Sequence, residues 1–258
     1  KEITRSDISS NELQARLQKL ENIRVRDGVV WKDKYERSHK INQARELPDN
    51  TPVNLCGRIT ALRWLGKLMF GRIYDIEGEI QFSMTRDELG EENYKFMKTN
   101  VDIGDFIGIT GVLYHTTAGE LTVRVSKYEI LAKALRPLPE KFHGLTDMET
   151  RYRQRYLDII SNPEARNALF GRFKMTQNLR DFMNNHGFLE IETPIMQNIA
   201  SGAAAKPFTT HHNALNTDFQ LRISPELFLK QAIGAGFDRV YEVSLDRKSG
   251  SAGMPRPI

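Results

Sequence analysis

Cysteine is almost missing from this chain: Cys56 is the single one in 258 residues. An intramolecular disulfide is excluded, and thiolate metal clusters are unavailable. A reducing compartment is compatible with that scarcity. Long apolar runs are absent too. No stretch approaches the run of about 20 residues that a membrane-spanning helix needs. Charge is nearly balanced, at +4 formally, so a strongly polyanionic or polycationic class is excluded. The mild basic excess fits a polyanion partner and equally fits an ordinary solvated surface. What remains is 40% hydrophobic and 27% charged, the composition of a globular chain long enough for one large domain or two modest ones. No internal repeat is present. The first residue is Lys1 rather than Met, so a preceding segment is expected and a targeting peptide stays open.

Four segments differ in pattern. Residues 1–50 read as a helical extension. Ser9 followed by Glu12 fits a capping box, and Leu13, Leu17 and Leu20 recur at helical spacing. Lys19, Arg24, Arg26, Lys32, Lys34, Arg37, Lys40 and Arg45 give this segment a basic tendency that could follow a nucleic-acid backbone, or simply face water.

Residues 51–133 read as β structure. Glu79 to Thr85 alternates polar and apolar without a break, which marks a strand with one buried face. Further strands are expected at residues 53–61, 68–75, 106–114 and 121–131, with one helix at 87–98. Gly66, Gly78, Gly104 and Gly119 punctuate these runs. Five strands with a helix after the third is the layout of an OB-fold, a small barrel whose face commonly binds oligonucleotides. The pattern alone also permits an SH3-like barrel.

Residues 134–146 contain Pro137 and Pro139, which exclude regular helix and mark a linker. Residues 147–243 return to mixed helix and strand. Asn162-Pro163 fits an N-cap with proline at the first helical position. Leu169, Phe173, Leu179, Phe182 and Met183 form a stripe expected to be buried, and Gly187 ends that helix. Short strands are expected at 188–192, 219–223 and 239–243, and Ser224-Pro225 opens another helix. From residue 244 to 258 the apolar period is lost. His211 and His212 are adjacent and would face opposite sides of a strand, so no zinc site is expected.

Several of these segments together resemble a known family. Residues 135–145, LRPLPEKFHGL, and 151–158, RYRQRYLD, resemble the linker and catalytic entry of class II lysyl-tRNA synthetases. Residues 187–196, GFLEIETPIM, resemble motif 1 of that class. Residues 202–208, GAAAKPF, and 221–227, LRISPEL, resemble its small-residue loop and its amino-acid-binding segment. The resemblance runs colinearly from about residue 10 to Val243. Aspartyl- and asparaginyl-tRNA synthetases share the architecture but not this linker.

The resemblance implies an α+β chain: an N-terminal helix and a five-stranded OB-fold barrel, then an incomplete antiparallel class II sheet with helices. It implies ligation of lysine to tRNA-Lys with ATP and Mg2+, in the cytoplasm, by a homodimer formed through residues 187–196. An organellar location stays open. It implies Phe70, Gln81 and Glu120 as anticodon contacts. Phe70 would stack an unpaired base, Gln81 would read a base edge with its amide, and Glu120 would accept a base N–H. Arg58 could hold a base or a phosphate. Without the resemblance, Phe70 reads as barrel core and the polar residues as ordinary surface. Gly202 would bring backbone close to the α-amino group of lysine, although the family more often has two glycines there. Glu226, at a helix start, would accept a hydrogen bond from that ammonium.

The pattern breaks after Val243. Motif 2 should continue with Phe-Arg-x-Glu, whose arginine binds the α-phosphate of ATP. The chain instead reads Ser244-Leu245-Asp246-Arg247-Lys248. Motif 3 is absent as well. Adenylation relies on those cations, so this chain by itself is expected not to form lysyl-adenylate, and no catalytic residue is assigned. The alternative to a ligase is a synthetase-like chain that binds tRNA or dimerises without catalysis.

Overall fold

The computed structural model describes residues 10–138, 145, 147–199 and 206–244. They form two compact units that divide between Ser161 and Asn162.

The first unit opens with helix α1 (Ser10–Asp27) and a short helix α2 (Ile41–Arg45). Ser9, the expected cap, lies outside the described residues. Five strands follow: β1 (Pro52–Leu65), β2 (Leu68–Tyr74), β3 (Glu79–Thr85), β4 (Phe106–His115) and β5 (Leu121–Ala132). Two helices, α3 (Arg86–Leu89) and α4 (Glu91–Asn100), lie between β3 and β4 and are split by Gly90 at φ 81°. The strands close into a barrel in the order β1-β2-β3-β5-β4, with β3 and β5 parallel and every other pair antiparallel. That order, with helix between the third and fourth strands, is an OB-fold and not an SH3-like barrel.

Barrel closure depends on β1. Its first half pairs with β4 and its second half with β2. The change of neighbour falls at Arg58, which pairs with both, and the register against β2 then shifts between Ile59 and Ala61, making Thr60 a bulge. Before the bulge Val53, Leu55 and Ile59 point into the core; beyond it Arg63 and Leu65 face water. Phe82, Met69, Ile73, Ile107, Ile109 and Leu113 fill the interior and are fully buried. Gly71 exists for that packing. A Cβ there would stand 2.3 Å from the tip of the Phe82 ring.

Helix α1 joins the same core through Leu20 and Ile23, with Leu17 partly buried against it. Its basic residues are not free for a polyanion. Lys19 pairs with Asp102 at 2.6 Å, and Arg26 pairs with Asp27 while lying 3.7 Å from the centre of the Phe96 ring. Lys32 pairs with Glu129, Arg37 with Asp75 and Lys40 with Glu77. Most of the basic residues read in 1–50 are thus paired with acids of the chain, Arg24 and Lys34 by exposed local pairs.

One ionic cluster sits beneath this helix. The Lys133 side chain has no exposure and donates to Asp105 at 2.8 Å, to the Asn100 carbonyl at 3.0 Å and to Asp102. Asp105 also accepts the backbone N–H groups of Asp102 and Ala134. Burial pushes the Asp105 carboxyl up. Burial also acts against ionised Asp102, yet Lys133 and Lys19 hold that carboxyl below its ordinary value. Two short helices, α5 (Met148–Arg153) and α6 (Arg155–Ser161), complete the unit and share buried Asp158, which accepts from Arg151 and Arg155.

The second unit begins with α7 (Pro163–Asn185), capped by the Asn162 side chain as expected. Gly187, at φ 78°, follows its end. Strand β6 (Leu189–Glu190) pairs in parallel with β10 (Val240–Tyr241). Strands β7 (Met196–Gln197), β8 (Thr209–His212) and β9 (Thr217–Leu221) form an antiparallel sheet in the order β7-β9-β8. Helix α8 (Glu226–Gly234) starts after Pro225. The strands thus form two separate sheets, a parallel pair and an antiparallel trio. The stripe expected to be buried on α7 is not: Phe173 is 56% exposed and Phe182 57%. Its apolar period is real, but no element among the described residues of this unit covers that face.

Candidate nucleic-acid interface

The barrel carries a groove of about 520 Å³ on its outer face, where β1, β2 and β3 meet the turn between β4 and β5. Phe70, Gln81 and Glu120, which stand far apart in the sequence, line it together. Alternation explains the meeting. Phe70 and Arg72 point out of β2, while Met69 and Ile73 point in. Arg72 stands opposite Gln81 on β3, and Gln81 opposite Thr122 on β5. The Phe70 ring is half-exposed and available to a stacking partner.

The polar residues are held in place. The Gln81 amide nitrogen donates to Thr122 Oγ1 at 2.9 Å, and Thr122 donates to the Glu120 carbonyl at 3.0 Å. The amide oxygen is the atom left to meet a base edge. The Glu120 carboxylate accepts from Arg72, whose other nitrogen reaches Glu79 at 3.3 Å. Glu79 in turn accepts from Thr60 at the bulge. These ion pairs are about 35–40% exposed, so they orient side chains more than they stabilise the fold. The turn is closed by Thr116: its carbonyl accepts from Gly119 and its hydroxyl from the Glu120 N–H. Gly119 sits at φ 79°, where a side chain would be strained.

Arg58 is not brought to this groove. Its guanidinium donates to the Gly104 carbonyl at 2.9 Å and stacks 4.3 Å from the centre of the Phe106 ring. It lies on the half of β1 that turns toward β4, about 16 Å of strand from Arg63. Arg63, Leu65 and Arg72 line the groove instead, and sequence reasoning missed all three. Arg72 was within reach of that reasoning, because it shares a face with Phe70 two residues on.

In the second unit Glu226 lies in the first turn of α8. Its N–H donates to Ser224 Oγ at 3.3 Å, and its exposed carboxylate pairs with Lys230 one turn along at 2.7 Å. Gly202 lies outside the described residues, as does the chain from Leu245. Arg222 is buried and bonds Glu242 at 2.8 Å and the Thr193 carbonyl at 3.0 Å. Thr193 also donates to Glu242. Burial opposes the Glu242 charge, but Thr193 and Arg222 keep its carboxyl below the ordinary value. This network ties the end of the motif 1 segment to the strand entering α8. Arg180 is committed to Glu190 and Arg239 to the His186 carbonyl. His211 pairs with Asp218, and His212 packs near Phe219. The two face opposite sides of β8, as their adjacency requires.

Two protein families match this geometry. Residues 53–131 match the OB-fold nucleic acid binding domain, and residues 147–245 match the class II tRNA synthetases for D, K and N. The chain is therefore similar to an OB-fold nucleic acid binding domain over its barrel and to class II tRNA synthetases beyond it. More particularly, it is a relative of the class II lysyl-tRNA synthetases. A lysine–tRNA ligase of Aquifex aeolicus is 50% identical over 84% of this chain and 36% of its own length. That of Carboxydothermus hydrogenoformans is 48% identical over 91% of this chain and 49% of its own length. That of Escherichia coli is 44% identical over 91% and 48%. The chain spans about half the length, or less, of these curated relatives. No helix among the described residues is long and apolar enough to cross a membrane.

Proposed function

We propose that this chain supplies the tRNA-reading module and part of the lysine site of a lysine–tRNA ligase. In that reaction lysine attacks the α-phosphate of ATP, with Mg2+ present, and the lysyl group then passes to tRNA-Lys in the cytoplasm. The observation that supports the reading most is the convergence of Phe70, Gln81 and Glu120 on one groove. Phe70 offers a stacking face, the Gln81 oxygen an acceptor, and Glu120 a carboxylate steadied by Arg72. In this reading Glu226 exchanges the ammonium of Lys230 for the α-ammonium of substrate lysine, with Gly202 lending backbone.

Gln81→Ala should relax the choice among loop sequences while lowering affinity only slightly, because it removes a reader and not a stacking surface. Titrating the variant with anticodon stem-loops altered at one base at a time measures this. Undiminished discrimination would exclude Gln81 as a reader.

Homodimer formation through residues 187–196 belongs to the same proposal. Phe173, Leu179, Phe182 and Leu189 are all exposed, more apolar surface than an isolated face of this kind normally shows water. Phe182→Asp should shift the chain toward monomer in sedimentation velocity. An unchanged distribution would place any dimer contact elsewhere.

A further inference from the structure

We propose that Arg124, steadied by Tyr114, is a phosphate-binding site for the RNA strand that crosses the barrel, on the far side of Phe70 from Arg63. The inference rests on the reading of the barrel as an RNA-binding module and extends it beyond the groove.

Strand register places the residues in one row. Arg63 on β1 faces Phe70 on β2, Phe70 faces Ser83 on β3, and Ser83 faces Arg124 on β5. The row runs across the strands, and its ends are three strand spacings apart, about 14 Å. Phe70 lies between two arginines. Both arginines are exposed, and no carboxylate among the described residues pairs with either. Arg72, on the same face, is by contrast paired with Glu79 and Glu120.

Arg124 is also pre-positioned. Its guanidinium carbon lies 4.8 Å from the centre of the Tyr114 ring. The ring is fixed from below, because the Tyr114 hydroxyl donates to Ser83 Oγ at 3.0 Å, and Ser83 is almost fully buried. The path Phe70–Ser83–Tyr114–Arg124 therefore links the stacking ring of the groove to the cation beyond it. A guanidinium held over an aromatic ring loses less freedom on binding an oxyanion. An arginine so held, with no acid beside it, suits a phosphate next to a base stacked on Phe70. A surface cation–π contact that only stabilises the fold would have the same geometry but no effect on RNA.

Salt dependence separates the two. Each phosphate neutralised on a single strand contributes a slope of about 0.7 in log K against log salt. Fluorescence anisotropy with a labelled anticodon stem-loop, titrated at several KCl concentrations, reads that slope. Arg124→Gln should weaken binding of every loop sequence alike and flatten the slope by about 0.7. Arg124→Lys should restore the slope. Tyr114→Leu should weaken binding with the slope retained, and Tyr114→Phe should bind nearly as the parent does. A slope unchanged in Arg124→Gln, while Phe70→Ala still weakens binding, would overturn this site and leave the groove standing. If Phe70→Ala also binds undiminished, the RNA-binding reading falls with it.

Discussion

Replacing Lys133 by alanine should lower the stability of the barrel unit by about 3–5 kcal/mol, the usual cost of orphaning one partner of a buried ion pair. The expectation follows from the geometry of one ammonium group. It has no exposure, it bonds two carboxylates and a backbone carbonyl, and one of those carboxylates, Asp105, is itself fully buried. Removing the ammonium leaves Asp105 with two backbone N–H donors and no counter-charge. The cost arises from the stranded charge and not from lost packing. A variant that also removes the charge, Lys133→Met with Asp105→Asn, should therefore regain part of the loss. Urea denaturation followed by tryptophan fluorescence measures both, since Trp64 packs against the core cluster. Equal losses in the single and double variants would refute the stranded-charge explanation. The cluster also holds α1 to the barrel through Lys19 and Asp102, so α1 should loosen in the single variant.

The second large effect is expected at Phe70. Its ring is half-exposed on the rim of the groove, so Phe70→Ala removes no core volume and should leave folding nearly unchanged. Stacking of one base on an aromatic ring is worth about 1–3 kcal/mol, which corresponds to a loss of about 5- to 150-fold in affinity for an anticodon stem-loop. Phe70→Trp should retain most of the affinity, because stacking asks for a flat ring and not for phenylalanine. Isothermal titration of the three proteins against one stem-loop gives the comparison. A weakened Phe70→Ala variant with an unaltered denaturation curve separates stacking from stability.

Much of the fold was legible in the chain. The unbroken alternation from Glu79 to Thr85 became β3 with its bounds intact, and the Asn162-Pro163 cap opened α7 as expected. Period-two alternation also placed Gln81 on an outward face, whereas for Phe70 only the family resemblance spoke against a place in the core. Alternation could not tell which part of a strand a residue occupies. Arg58 stays out of the groove for that reason: it sits where β1 passes from β4 to β2, and its guanidinium is held by the Gly104 carbonyl and the Phe106 ring. Nor does a sequence pair its own charges. The eight basic residues of the first segment read as a patch, yet four of them find acids far along the chain that periodicity cannot see. Arg72 went unremarked because its importance comes from Glu79 and Glu120, brought to it by closure of the barrel. The stripe on α7 has the opposite lesson. An apolar period reports a face that seeks a partner, and nothing in the pattern says where that partner is.

This barrel face is proposed to read an unpaired tRNA loop. The most direct test compares two RNA hairpins that share one stem, one with the lysine anticodon UUU in its loop and one with those three bases replaced by GGG. The unaltered chain should bind the first clearly more tightly, and the preference should be lost when Phe70 and Gln81 are both alanine. Equal affinity for the two hairpins, or a preference that survives the double substitution, would contradict it.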